Sequence, residues 1–320
     1  MHALTQTTAS GLAWLARHGT RCLAAGVLVG LAVPPLADFA RPALAPAIVV
    51  NMTIALLRLD PQAVIGYLRR PGLLALFTGF ALLVEPVLVL LAARRLGLPP
   101  GLVDGLVLMA AAPPIMSAAA FALIMQLDAA FAIATVVLTH ALVPLTLPPL
   151  ALWLLGIELD IGLLQFAGKL ALLIGSAFLA AFVLRRWVFP AELLERSAAQ
   201  LDGLAVIGLV VFAVAIMAGV TEFFIARPGF ALLTIAVAFV ANAALQVVGA
   251  VLFRRAGWLV SLTAGHMTGN CNMGLVLAVL AGHASTEVAV FFALAQLPMY
   301  MLPMLAMSVY RRLLRADSEA

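Results

Sequence analysis

Charge is what this sequence has least of. Only 10% of its 320 residues are Asp, Glu, Lys or Arg, against roughly 25% in a soluble domain. With 65% of the chain hydrophobic and a mean hydropathy of +1.17, a water-soluble globular fold is excluded. Cysteine is also scarce. Cys22 and Cys271 are the pair, and two such residues in or beside apolar segments give no disulfide framework. The alternating polarity of barrel strands is missing, which excludes a transmembrane β-barrel. No long apolar core precedes a small-residue cleavage site in the first 20 residues, so no secretory signal peptide is expected. Neither His-Glu-x-x-His nor Gly-x-Ser-x-Gly occurs, which argues against an intramembrane enzyme. His140, His266 and Cys271 are too scattered to argue a metal centre. Net charge is +4, but the basic residues gather in short loops, a sign of membrane topology and not of nucleic-acid binding.

What is present is continuous apolar sequence. A helical span needs about 20 apolar residues, and ten fit: 23–39, 43–57, 72–93, 102–126, 129–155, 170–184, 203–220, 230–253, 258–280 and 288–309. Pro34-Pro35 is expected to kink the first. Asp60-Pro61 starts an interfacial helix, since aspartate caps and proline suits the first helical position. The glycosylation-like Asn51-Met52-Thr53 falls inside a span and carries no such meaning. Five spans precede an acidic loop at Glu158 and Asp160, and five follow it. An odd number per half inverts the second half against the first. The expected division is a 1–20 N-terminal cytoplasmic or interfacial segment, a 21–156 five-helix repeat, a 157–310 inverted five-helix repeat and a 311–320 cytoplasmic tail. Thirteen basic residues fall on the side of both termini and five on the other, which places both termini in the cytoplasm of a plasma (inner) membrane protein.

Two spans are interrupted, and each is the fourth of its half. Pro113-Pro114 stands mid-span, where each proline removes a backbone hydrogen bond and clashes with the preceding turn. The second interruption is AGHMTGNCNMGLVL, residues 264–277. It holds His266, Thr268, Asn270 and Asn272 within seven positions, punctuated by Gly265, Gly269 and Gly274. Glycine and small polar residues also serve plain helix–helix contact. This density points instead to a broken helix lining a wet cavity, as transporters build their binding sites. Glu85, followed by Pro86, and His140 are further ionisable residues inside spans, and an intramembrane ionisable group is a functional candidate. The methionines of the last span (Met299, Met301, Met304, Met307) read as packing.

Three local matches carry a family resemblance. LRLDPQAV after the second span resembles an L-x-L-x-P-x-x-F/V turn. AAPPIMSAAAFALIMQLDAAFAIATVVLTHALVPL resembles fourth and fifth helices in which C-P-G-G-x-x-S-N precedes G-D/N-x-A-L-S. TGNCNMGLVLA resembles a ninth-helix motif, E-x-G-x-Q-N-x-x-L. The chain in this respect resembles the bile acid:sodium symporter superfamily, which includes arsenite-efflux relatives. The resemblance implies an all-α polytopic membrane protein of ten transmembrane helices. It also implies a panel domain and a core domain in which broken helices 4 and 9 cross, beside two bound sodium ions. The implied function is secondary active transport of a small organic anion or amphipathic acid by alternating access. A channel or a non-transporting membrane scaffold is the competing reading.

The departures from that pattern bear on coupling. The serine-asparagine pair falls on Ala118 and Ala119, and the fifth-helix hydroxyls on Ala132 and Val136. The glutamate falls on Met267 and the glutamine on Cys271, while Gly269 and Asn272 match. The third-helix glutamine falls on Ala81, with Glu85 one turn further. The candidate substrate or ion site is therefore Pro113, Pro114, Ser117, His266, Thr268, Gly269, Asn270 and Asn272, with Glu85 and His140 as coupling candidates. No cofactor is expected. Either one sodium sits on Thr268, Asn270 and Asn272 oxygens, or Glu85 exchanges protons with the help of His140 or His266.

Overall fold

The computed structural model describes residues 2–156, 162–280 and 282–318. The loop with Glu158 and Asp160, on which the division into halves was hung, lies outside the described residues, as does Ala320. Among the described residues the chain is helical and forms no strand. Among the described residues, seven helices are long and apolar enough to cross a membrane: Pro34–Leu57, Pro71–Arg95, Ala129–Leu155, Leu163–Trp187, Ala198–Ala226, Pro228–Leu252 and Thr286–Arg315. Arg21–Ala32 and Pro100–Ala111 are apolar but shorter. Large apolar side chains stand out from these helices, with Leu164 86%, Phe39 83% and Ile225 78% exposed. Water would not tolerate so much apolar surface, whereas hydrocarbon does. The protein is an integral membrane protein.

One expected boundary moves. The sequence placed the first connection near Arg41, with a kink at Pro34-Pro35. The structure turns at Val33 instead, whose φ of −128° and ψ of 74° are not helical. Proline disfavours the α conformation in the residue before it and brings no N–H for the helix behind it. Pro42, by contrast, sits in the first turn of a short 3-10 segment, Arg41–Ala43, where its missing N–H matters little. The helix therefore runs on from Pro34 to Leu57.

The chain divides into two compact units that do not follow the halves of the sequence. The first takes Met1–Leu59 and Ala171–Ala226. Its middle is the Ala198–Ala215 helix, approached closely wherever glycine is available. A Cβ on Gly203 would strike the Leu12 carbonyl, one on Gly208 the Asn51 amide, and one on Gly30 both Val214 O and Met217. This is the small-residue packing of membrane helices. Thr221 donates to Leu31 O (2.7 Å), Arg185 to Leu59 O (2.9 Å), and Arg58 pairs with Asp202. Asn51 of the sequon-like triplet is likewise committed to packing, donating to Ala47 O (2.8 Å).

The second unit takes Asp60–Leu170 and Arg227–Ala320 and holds both interrupted helices. Asp60 caps the Pro61–Leu68 helix as expected, accepting from Gln62 N (2.9 Å). Tyr67 of that helix donates to Asp128, which also caps the Ala129–Leu155 helix through Phe131 N (2.9 Å). Tyr67, Phe77, Phe131 and Phe253 form a connected aromatic cluster beneath it.

Candidate functional site

The first interruption follows from two prolines in sequence. The Pro100–Ala111 helix stops at Ala112, whose ψ of 147° is the extended value that a following proline favours. Helix resumes at Ala118–Ile124, and two residues past its end Gln126 is a non-glycine residue at φ +61°. The second helix stops without proline. Trp258–Gly269 gives way at Asn270 (φ −111°, ψ 72°), and Met273–Val279 starts from Asn272. Here asparagine acts through its side chain, since Asn272 Oδ1 accepts from Leu275 N (3.2 Å) and caps the second half.

The two interruptions are stitched to each other. Pro114 pairs with Cys271 in a single antiparallel bridge. Ile115 N–H donates to Asn270 O at 2.7 Å, and Asn272 N–H donates to Pro113 O at 2.7 Å. The exchange is reciprocal, each break giving one donor and one acceptor. It answers the question every helix break inside a membrane poses, where the freed backbone groups go. Pro113 and Pro114 have no N–H to leave unpaired, and Pro113 still offers its carbonyl.

Two buried histidines hold the asparagines. Asn272 Oδ1 is taken up by the Leu275 amide, so its Nδ2 faces His140 Nε2 at 3.3 Å. That nitrogen must accept, and the ring proton sits on Nδ1, 2.8 Å from Val136 O. Asn270 Nδ2 donates to His266 O (2.7 Å) and faces His266 Nδ1 (3.1 Å). His266 Nε2 then donates to Ala118 O (3.2 Å), tying the second broken helix to the first. Both rings are neutral in this arrangement. A second proton on either would set N–H against N–H. Asn270 Oδ1 is buried and has no partner.

Not every expected residue joins this group. Thr268 turns away, its hydroxyl donating to Leu245 O (2.9 Å) and Gly265 O (3.0 Å). Gly265 and Gly269 serve helix packing: a Cβ on either would meet the Pro228–Leu252 helix, at Gln246 O or at Asn242. For these three the plain helix-contact reading is the one the geometry fits. Ser117 is half-buried and caps nothing with its side chain. No three His, Cys, Asp or Glu gather as a metal group among the described residues.

Glu85 sits in a local departure from α geometry. Phe80–Val84 is a π segment, and Glu85 N–H reaches back five residues to Phe80 O. Pro86 brings no amide to the ladder, and the π turn is the adjustment around it. Glu85 is 1% exposed, and its Oε1 has no hydrogen-bond partner.

Sequence reasoning missed a buried relay behind the second break. Tyr310 OH donates to Gln246 Oε1 (2.7 Å), Gln246 Nε2 to Asn242 Oδ1 (2.6 Å), and Asn242 Nδ2 to Gly269 O. It caps a carbonyl that the end of the Trp258–Gly269 helix would leave orphaned. The available signal was the four-residue spacing of Asn242 and Gln246 on one helix face.

No curated protein matches the chain. Residues 45–227, more than half of it, match the Sodium Bile acid symporter family. The match contains the Pro113-Pro114 break and ends ahead of the Asn270–Asn272 one. The chain belongs to the Sodium Bile acid symporter family.

Proposed function

We propose that this protein is a secondary active transporter of a small organic anion or amphipathic acid, working by alternating access. The observation that carries the reading is the reciprocal backbone bridge between two interrupted helices in one compact unit. Interrupted helices meeting at depth are how membrane transporters bring polar backbone to a substrate. We read the seven long helices, one further crossing at Gly19–Ala32 and the two interrupted helices as ten crossings. We read these as inverted five-helix repeats with both termini cytoplasmic. The two compact units take the roles of panel and core, and rocking of one unit is the alternating motion.

Coupling, on this reading, departs from a two-sodium scheme. Sodium wants several hard oxygens. Thr268 is committed to neighbouring carbonyls, and Asn272 Oδ1 to Leu275 N. Asn270 Oδ1 is the side-chain oxygen left free at the break. A single sodium there would need backbone carbonyls and Glu85 as counter-charge. The proton route needs less. Glu85 is a carboxyl inside a span, and a proton on His140 would break its bond to Asn272 at the bridge. Proton-coupled or uncoupled transport is therefore our reading.

The test is uptake into proteoliposomes of labelled organic anions, a bile acid among them, under separate sodium and proton gradients. Saturable uptake driven by an inward proton gradient, and lost in Glu85→Gln, supports the reading. Uptake that needs sodium at every pH and survives Glu85→Gln sinks the proton route. Steady single-channel current without saturation would replace transporter by channel.

A further inference from the structure

A crevice of about 370 Å³ opens along the Glu85–Arg95 and Pro228–Leu252 helices, within the second unit. Apart from Phe80 and Glu85 its walls are alkyl side chains, among them Leu88, Val89, Ala92, Val240, Ala244 and Val248. Glu85 is the one polar side chain that lines it. Leu88, Val240 and Val248 are 45%, 69% and 41% exposed, so the crevice opens sideways, where this helix surface meets lipid. Its volume is that of a small-molecule site.

An apolar crevice alone would simply hold an acyl chain. Glu85 changes what suits it. The carboxyl is buried, its Oε1 lacks a partner, and no Lys, Arg or His lines the crevice. A buried polar atom of this kind calls for a hydrogen-bond donor from outside the chain. The occupant that supplies both halves is an aliphatic chain carrying a primary ammonium group. The chain fills the alkyl walls, and the ammonium donates to the carboxylate and balances its charge, which a dry site demands. Depth separates the sources of such chemistry. Glu85 lies ten residues from Arg95, the end of its helix, or about 15 Å along the axis. A phospholipid amine held at the headgroup level does not reach so far, whereas a free alkyl amine dissolved in the bilayer does.

We propose that this crevice is a binding site for lipophilic primary amines, entered from the bilayer and anchored on Glu85. The site shares Glu85 with the coupling reading but does not rest on it, and its test reads binding without transport. The purified full-length protein in a neutral maltoside detergent is titrated with octylammonium, octanol and octanoate, and its melting temperature is followed. Ligands that bind the folded state raise it saturably. Octylammonium is expected to do so at lower concentration than the other two. Glu85→Gln is expected to weaken the amine response at least tenfold while leaving the octanol response as it was. Ala244→Phe fills the crevice from a lipid-facing position with Glu85 intact, and is expected to weaken the amine response equally. It decides the matter if Glu85→Gln does not fold. Equal responses to amine and octanol, or an amine response undiminished in Ala244→Phe, overturn the proposal.

Discussion

Removing the Asn272 side chain is the sharpest test of the bridge, because its consequences can be worked from the contacts. Asn272→Ala leaves the backbone exchange with Pro113 in place, since that bond is made by the main chain. It deletes two side-chain bonds. One is the cap on Leu275 N, whose loss costs about 1 kcal/mol. The other is the donor to His140 Nε2, and a buried acceptor left unpaired costs about 1–3 kcal/mol. The sum is about 2–4 kcal/mol, enough to lower the melting temperature and loosen the break without unfolding the protein. Uptake in proteoliposomes is expected to be abolished. Asn272→Asp separates the two contributions, because an aspartate still caps Leu275 N but offers His140 an acceptor. It is expected to keep most of the stability and to favour a protonated His140. In a double-mutant cycle with His140→Ala, the two losses should overlap by about 1 kcal/mol, the worth of a typical shared hydrogen bond. Full additivity in that cycle, together with wild-type uptake by Asn272→Ala, would refute the assignment of this residue to the working site.

Three further outcomes are expected. Tyr310→Phe strips the relay of its outermost donor and should cost about 1 kcal/mol, while Asn242→Ala leaves both Gly269 O and Gln246 Nε2 unpaired and should cost clearly more, in a thermal-shift series. If uptake fell further in Asn242→Ala than in Asn272→Ala, the functional centre would lie behind the break and not at it. Burial, then the bond to Asp128, raises the Tyr67 hydroxyl above its ordinary pKa near 10, so the folded protein holds this proton longer than the unfolded chain. That stability is full below pH 10 and is lost as pH rises through the raised value; Tyr67→Phe should remove this alkaline decline in an unfolding series and cost about 1 kcal/mol at neutral pH. Reporter fusions after Ala320 and between Gly156 and Gly162 should report opposite sides of the membrane, and the same side for both would remove the five-plus-five arrangement.

The sequence was most informative where a residue type has one strong backbone effect. Pro113-Pro114 announced a break, Asp60-Pro61 a helix start, and the apolar runs a membrane protein. The family was also legible, in the turn at Asp60 and in the stretch around Pro113. Less was legible where several outcomes share one signal. Pro34 and Pro42 look alike in sequence, yet one turns the chain and the other rides in a first turn. Glycines at 265 and 269 read as punctuation of a break, but serve close approach to the Pro228–Leu252 helix. Thr268 shares a stretch with Asn270 and Asn272 yet faces another way, because rotation along a helix separates neighbours in sequence. The family resemblance implied that the two breaks cross, and the Asn242–Gln246 spacing hinted at a polar face, but the individual bonds of the bridge and of Tyr310 join residues more than 60 positions apart and were not legible.

The π turn at Phe80–Val84 amounts to one surplus residue in a helix that is otherwise regular. Such a residue acts as a phase shifter. Everything after it is rotated by about 100° relative to an uninterrupted α-helix, since each residue advances the helix by that angle. Deleting Leu83 would remove the surplus residue and let Pro71–Arg95 run on in the same direction, bent only by Pro86. Glu85 would then be carried round to a different bearing, with all the residues between it and Arg95. The acidic group would leave the crevice while the apolar composition of the span stayed the same. A one-residue deletion here is thus a change of aim rather than of content, and hydropathy would not register it.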